Sequence, residues 1–245
     1  MDIAGFFAAL NQSRGINFSL FYDAFDRDLF LQGIRYTAWL SVASIVGSLA
    51  VGGLGAYLQF AQGRWARRLV GGYVQVFRNT PPLVQLYFFY FALGPALSAL
   101  GSGPQPLIGN VTWAIVSLTL YAGAFNVEIF RSGIEAVPQS TIEAADALGL
   151  SRSQIFVKVV LPLALRISLA GLNNNLVNLI KTTTNAFAIA VPELLYASSQ
   201  IWSESMNAFE MVVVLLTFYM LVIGAFTWSM QRWERAIAVP GWGHA

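Results

Sequence analysis

Cysteine is absent from the 245 residues. That excludes disulfides, thiolate metal ligands and thiol nucleophiles. Histidine occurs once, as His244 beside the C-terminus, where a tail role is expected, so serine–histidine and histidine-cluster chemistry are excluded as well. The two lysines are Lys158 and Lys181, and neither follows the glycine pattern of a phosphate-binding loop. The chain is therefore expected not to bind and hydrolyse ATP itself, and to hold no cofactor or metal. No paired-carboxylate site stands out. No basic–aromatic patch supports nucleic-acid binding. The start, Met1-Asp2-Ile3, lacks the basic and apolar regions of a cleaved signal peptide. Charge of either sign is scarce, at 11% of residues, against roughly 25% in soluble domains.

What fills the chain is apolar: 56% hydrophobic residues and a mean hydropathy of +0.60. That much apolar side chain predicts an all-α polytopic membrane protein. At about 20 residues per crossing, five spans are expected, over 33–58, 70–97, 111–130, 167–191 and 211–230. Residues 1–32 read as an extracytoplasmic or interfacial lead-in, 33–235 as the transmembrane domain, and 236–245 as a tail. In the first span Ser44, Ser48 and Gly52 recur at spacings of four, with Gly47 and Gly55 beside them. Small residues so spaced let helices approach closely in lipid. Pro81 and Pro82 suit a helical first turn, so the second span breaks there, and Gly94-Pro95 should bend or end it. Gly101 to Asn110 is rich in turn residues.

The basic residues set an orientation. Arg64, Arg67 and Arg68 fall in one loop, Arg131, Arg152, Lys158 and Arg166 in another, and Arg232 and Arg235 after the last span. Five spans put all three groups on one side. Arg14 and Arg27, offset by four aspartates, fall on the other. The N-terminus is expected outside and the C-terminus in the cytoplasm. Trp39, Trp65, Trp113, Trp202, Trp228 and Trp233 fall near span ends, as interfacial tryptophans do.

The loop 131–166 carries an element foreign to a membrane. Ser140-Thr-Ile-Glu143 has the pattern of a capping box. Ala144, Ala145, Ala147 and Leu148 favour helix, and Gly149 suits a left-handed end. Ser151 can cap a second helix from Arg152 to about Val160, which should stop before Leu161-Pro162. Periodicity leaves two readings open: a helix lying on the membrane interface, or a projecting knob.

The spacing Glu143-Ala-Ala, Gly149, Val159 and Leu161-Pro162 resembles the EAA loop of bacterial ATP-binding-cassette importer permeases. Val159 stands where isoleucine is commoner. Arg78-Asn-Thr-Pro-Pro-Leu-Val-Gln-Leu86 is similar to the Arg-Gly-Thr-Pro-Leu-Leu-Val-Gln signature of polar amino acid permeases (the histidine, glutamine and glutamate type). Glu128 to Pro138, Lys181-Thr-Thr-Thr and Val191-Pro-Glu-Leu194 match further segments in order. The first 32 residues carry no such signature. The resemblance implies a cytoplasmic coupling-helix hairpin that docks on a separate ATPase through Glu143, Ala144, Ala145, Asp146, Gly149, Leu150, Ser151 and Pro162. It further implies ATP and magnesium on that partner, a second permease subunit of the same or a sister chain, a periplasmic amino-acid-binding protein, and a place in the bacterial inner membrane.

Polar residues within the spans have two readings each. Gln85, Asn174, Asn178, Lys181, Thr182 and Thr183 are candidates for the substrate path. Lys181 could instead pair structurally or snorkel, and asparagines often hold helices together. Thr182 replaces the family's aspartate, which leaves the surroundings less acidic. Glu128 and Arg131, three apart on one helical face, are assigned with Arg78 to a structural clamp. An ion-coupled secondary transporter is the rival, but such folds show internal repeats and none is found. A membrane-embedded enzyme lacks catalytic candidates.

Overall fold

The computed structural model describes residues 3–61, 63–100 and 106–236. Gln62, the first half of the turn-rich loop, and the tail from 237 with His244 lie outside the described residues. Among the described residues the chain is all helix, without strands. It divides into two compact units: Met1–Ser44, Pro82–Leu118 and Ile180–Gly224 in one, and Ile45–Pro81, Thr119–Leu179 and Ala225–Ala245 in the other.

Among the described residues, four helical stretches are long and apolar enough to cross a membrane: Ala24–Phe60, Asn110–Glu135, Arg152–Ile189 and Ala208–Ala236. A shorter apolar helix covers Pro82–Ser98. The stretch expected as the second span, 70–97, breaks at Pro81 and Pro82, where the prolines placed it. Its first part belongs to an amphipathic helix, α3 (Arg64–Asn79), separated by Thr80 and Pro81 from α4 (Pro82–Tyr87). Proline disfavours helical geometry in the residue before it, so paired prolines force this break.

In the first unit, α1 (Ile3–Arg14) leads through a 3₁₀ turn, Ser19–Phe21, into α2 (Ala24–Ala61). The long helix therefore begins nine residues before the expected start of the span. The lead-in is stitched to the turn between α10 (Leu194–Ser205) and α11 (Ala208–Ala236). The Asn17 backbone N–H donates to Glu210 Oε1 at 2.9 Å, and Asn207 Nδ2 donates to the Asn17 carbonyl at 3.0 Å and to Ser19 Oγ at 2.9 Å. Leu20, Phe30, Leu194, Ile201 and Met211 form the core beneath. A second core gathers Leu40, Leu86, Ala114, Ala186, Ile189 and Val191.

In the second unit, α2 packs on α6 (Asn110–Glu135) along the small-residue seam. A Cβ added at Gly47 would lie 2.7 Å from Thr119 Oγ1, and one at Gly52 or Gly55 would collide with Asn126 or Val127. The expected close approach is realised in that seam.

Two π-helical stretches, Phe88–Leu93 and Phe156–Val160, each end two residues before a proline, Pro95 and Pro162. A proline lacks its N–H and crowds the carbonyl four residues back. The wider π turn relieves both, and the chain stays helical. α5 (Gly94–Ser98) follows the first stretch. α8 (Arg152–Ile155) thus runs through the second stretch into α9 (Leu161–Thr182). The expected stop before Pro162 does not occur.

Candidate functional site

The hairpin is a knob with its own core. α7 (Gln139–Ala147) ends at Gly149, whose φ is +78°. The Leu150 N–H donates to the Ala145 carbonyl at 3.3 Å, and the Gly149 N–H to the Asp146 carbonyl at 2.8 Å. These are the two bonds of a Schellman motif, which a left-handed glycine makes possible. Ser151 caps α8 reciprocally with Gln154, as its position suggested. Val137, Ala145, Ile155, Val160 and Ala164 pack beneath the corner. Glu143, Ala144, Asp146, Gly149, Ser151 and Pro162 are exposed, and Leu150 is half-buried. Leu148 at the corner is 82% exposed.

Two expectations for this loop are corrected. Ala145 is 5% exposed, so it supports the knob from inside and offers no docking surface. Ser140 does not cap. Pro138 fixes an extended entry and α7 begins at Gln139 without a side-chain cap, the Pro138 carbonyl taking the N–H groups of Thr141 and Ile142. Ser140 and Glu143 are therefore already inside the helix, and the Glu143 side chain faces outward.

The clamp residues do meet. Arg131 donates to Glu128 at 2.9 Å and to Glu135 at 2.7 Å, and Arg78 reaches Glu128 at 3.7 Å. The Arg78 guanidinium also lies over the Phe125 ring, 5.4 Å from its centroid. These side chains are partly exposed, so each pair contributes at most about 1 kcal/mol. Their geometry ties the end of α3 to α6 rather than building a deep charged site.

The substrate-path candidates fall into two groups. Asn174, Asn178 and Lys181, at i, i+4 and i+7 on α9, share one helical stripe and all are exposed. The Asn178 amide lies 3.5 Å from the Tyr121 hydroxyl. Lys181, near the C-terminal end of α9 and inside the apolar stretch Arg152–Ile189, borders an apolar groove of about 530 Å³ with Thr184, Leu216, Tyr219 and Met220. Gln85 and Thr183 are buried, and Thr182 is half-buried. Thr183 spends its hydroxyl on the Ile180 carbonyl at 2.7 Å.

A family model described as the inner membrane component of binding-protein-dependent transport systems matches residues 35–238. The chain belongs to that family. It is 32% identical over 211 residues to the glutamine transport system permease protein of Escherichia coli (strain K12), covering 86% of this chain and 94% of that protein. It is 30% identical over 207 residues to the octopine transport system permease protein of Rhizobium radiobacter, covering 83% and 84%. Among solved structures, its fold resembles an amino acid ABC transporter crystallised with histidines, at a TM-score of 0.76 and 24% identity over 86% of this chain and 94% of that one. It also resembles the MetNI methionine ABC transporter in an inward-facing conformation, with a TM-score of 0.68 at 24% identity over 86% and 97%. At these identities the structural likeness concerns the fold. The EAA motif and the coupling helix are characteristic of such permeases.

Two buried polar features of this permease were not among the expected site residues. Asn126 is wholly buried in α6, where its Nδ2 donates to Ser48 Oγ at 3.2 Å and its Oδ1 accepts from Asn175 at 2.8 Å. A lone asparagine in an otherwise apolar span was the available signal. Glu193 is also wholly buried. It caps α10 by accepting from the N–H groups of Leu195 and Tyr196 at 2.9 and 2.8 Å. Burial pushes its carboxyl up to about 7, although those two bonds favour the charged form.

Proposed function

We propose that this permease is the membrane-spanning subunit of an ATP-driven importer that moves polar amino acids from periplasm to cytoplasm by alternating access. One observation carries the reading: an exposed, glycine-cornered hairpin with its own core interrupts a chain that is otherwise membrane helix. Its relatives' names supply the substrate class. A separate ATPase subunit docks on Glu143, Ala144, Asp146, Gly149, Leu150, Ser151 and Pro162, with Ala145 supporting them from behind. ATP and magnesium reside on that subunit. Closure of the ATPases moves the hairpins, and the spans exchange inward-facing for outward-facing arrangements. A second permease subunit, identical or a sister chain, completes the path, and a periplasmic binding protein delivers substrate. The N-terminus lies in the periplasm and the C-terminus in the cytoplasm. The exposed stripe of Asn174, Asn178 and Lys181 suits a zwitterion, since amides and an ammonium group can meet both carboxylate and amine.

The test is reconstitution with the proteins encoded beside it. Radiolabelled amino acid uptake into proteoliposomes should require ATP on the ATPase side and the binding protein on the other. Uptake by the permease alone, without nucleotide, would overturn the reading. Calorimetry on the binding protein identifies the amino acid.

A further inference from the structure

The hairpin formed by the end of α2 and by α3 carries a cluster of arginines beside an apolar groove. α3 has three faces. Val70 and Val74 are buried and pack with Val127 and Tyr73. Trp65, Leu69 and Val76 follow a second stripe and stay 74%, 74% and 58% exposed. Arg64, Arg67 and Arg68 are exposed on the first turns. The Arg68 guanidinium lies over the Trp65 ring, 5.4 Å from its centroid. No aspartate or glutamate occurs between Asp28 and Glu128. Among the described residues, no carboxylate pairs with these three arginines.

Next to that basic turn lies an apolar groove of about 280 Å³, whose lining includes Val51, Leu54, Leu58, Leu69 and Tyr73. Leu58 and Leu69 stand at the turn end of the hairpin, and Val51 and Tyr73 farther from it. The eight residues from Val51 to Leu58 span about 10 Å of helix, within the roughly 15 Å of one hydrocarbon leaflet. Cationic side chains and a tryptophan on one turn, with an apolar slot running from it along the helices, match the phosphate, glycerol region and acyl chain of a phospholipid.

We propose that this hairpin binds one anionic glycerophospholipid, its phosphate on Arg64, Arg67 and Arg68 and one acyl chain in the groove beside Leu54 and Leu69. Guanidinium groups suit phosphate because their planar forks donate two parallel hydrogen bonds. A free phosphate would satisfy the arginines but leave the groove empty, so the slot favours a lipid. The site rests on the membrane-spanning fold and not on the amino acid reading.

The complex is reconstituted in nanodiscs of equal phosphatidylcholine and phosphatidylglycerol and extracted into mild detergent, and the retained lipids are counted by native mass spectrometry. Each arginine near an anionic headgroup strengthens binding about fivefold, so phosphatidylglycerol should be retained at least about tenfold over phosphatidylcholine. The variant R64Q/R67Q/R68Q should lose that preference, and R64K/R67K/R68K should keep most of it. Because removing three arginines also weakens the insertion signal, Leu54→Trp, which keeps every charge and fills the groove, provides an independent arm and should release the lipid. Equal retention of the two lipids by the wild type, or unchanged phosphatidylglycerol retention in the glutamine or tryptophan variant, would overturn the proposal. So would displacement of the lipid by inorganic phosphate alone, or a groove filled by a second copy of the chain and free of lipid. Transport is not read, so failure of the importer reading leaves this result intact.

Discussion

Asn175 donates to Asn126 across 2.8 Å, and the same amide reaches the Ala122 carbonyl at 3.0 Å. α9 is thereby bonded to α6, which in turn holds Ser48 of α2. In lipid such bonds average well under 2 kcal/mol, but an orphaned buried amide adds its desolvation cost. Asn126→Leu should therefore lower stability by about 1–2 kcal/mol, and the double variant with Asn175→Leu should cost less than the sum of the singles. Thermal unfolding in detergent measures this. Strict additivity would mean the two amides do not cooperate.

Adjacent glycines make an internal control for the α2–α6 seam. A Cβ at Gly52 would meet Asn126, whereas one at Gly53 meets nothing within 4 Å. Gly52→Ala should destabilise by about 1–3 kcal/mol through overpacking. Gly53→Ala should be neutral, or stabilising by up to about 1 kcal/mol through helix propensity. Equal effects in a melting comparison would contradict the packing.

Glu193 predicts a pH dependence. Its carboxyl is raised to about 7 by burial, above an unfolded value of about 4.3. Below the unfolded value both states are protonated and nothing is gained or lost. As pH rises from about 4.3 to about 7 the unfolded chain loses its proton first, so stability falls, and above about 7 the loss is complete. Glu193→Gln keeps an acceptor for the α10 amides and should flatten that part of the melting-temperature profile. A profile that the variant leaves unchanged would assign the dependence to another group.

Gly149 holds φ at +78°, a region that costs an ordinary residue roughly 1–2 kcal/mol. Gly149→Val should strain the corner and shift Leu148 while the spans stay folded. The expected result is continued ATP hydrolysis with transport reduced at least about tenfold. Gly149→Asn, which tolerates the left-handed region, should retain most coupling. Coupled transport measured alongside ATPase rate separates these outcomes.

The sequence made some of this legible because the signal was local. Glycine at 149 needed only its own backbone geometry. The small-residue seam of α2 needed only spacing, and Arg131 with Glu128 only a helical period. Other parts depended on partners far along the chain. Ser140 lost its cap because Pro138 began the helix first. Pro162 failed to stop a helix because a π turn absorbed it. Asn126 gave a single signal, an amide within a largely apolar span, but its partners Ser48 and Asn175 lie 78 and 49 positions away, beyond the reach of any local pattern. Among the path candidates, residue type alone did not separate the exposed Asn174, Asn178 and Lys181 from the buried Gln85 and Thr183.

The hairpin as the grip of a separate ATPase is tested most directly at its corner. The chain has no cysteine, so Leu148→Cys, at an 82% exposed position, places a single thiol there. In the co-expressed complex a short bifunctional thiol cross-linker should join it to a cysteine on the ATPase, and a thiol reagent confined to the periplasmic side should not reach it. Modification from the periplasmic side, or protection by lipid with no ATPase adduct, would contradict the account.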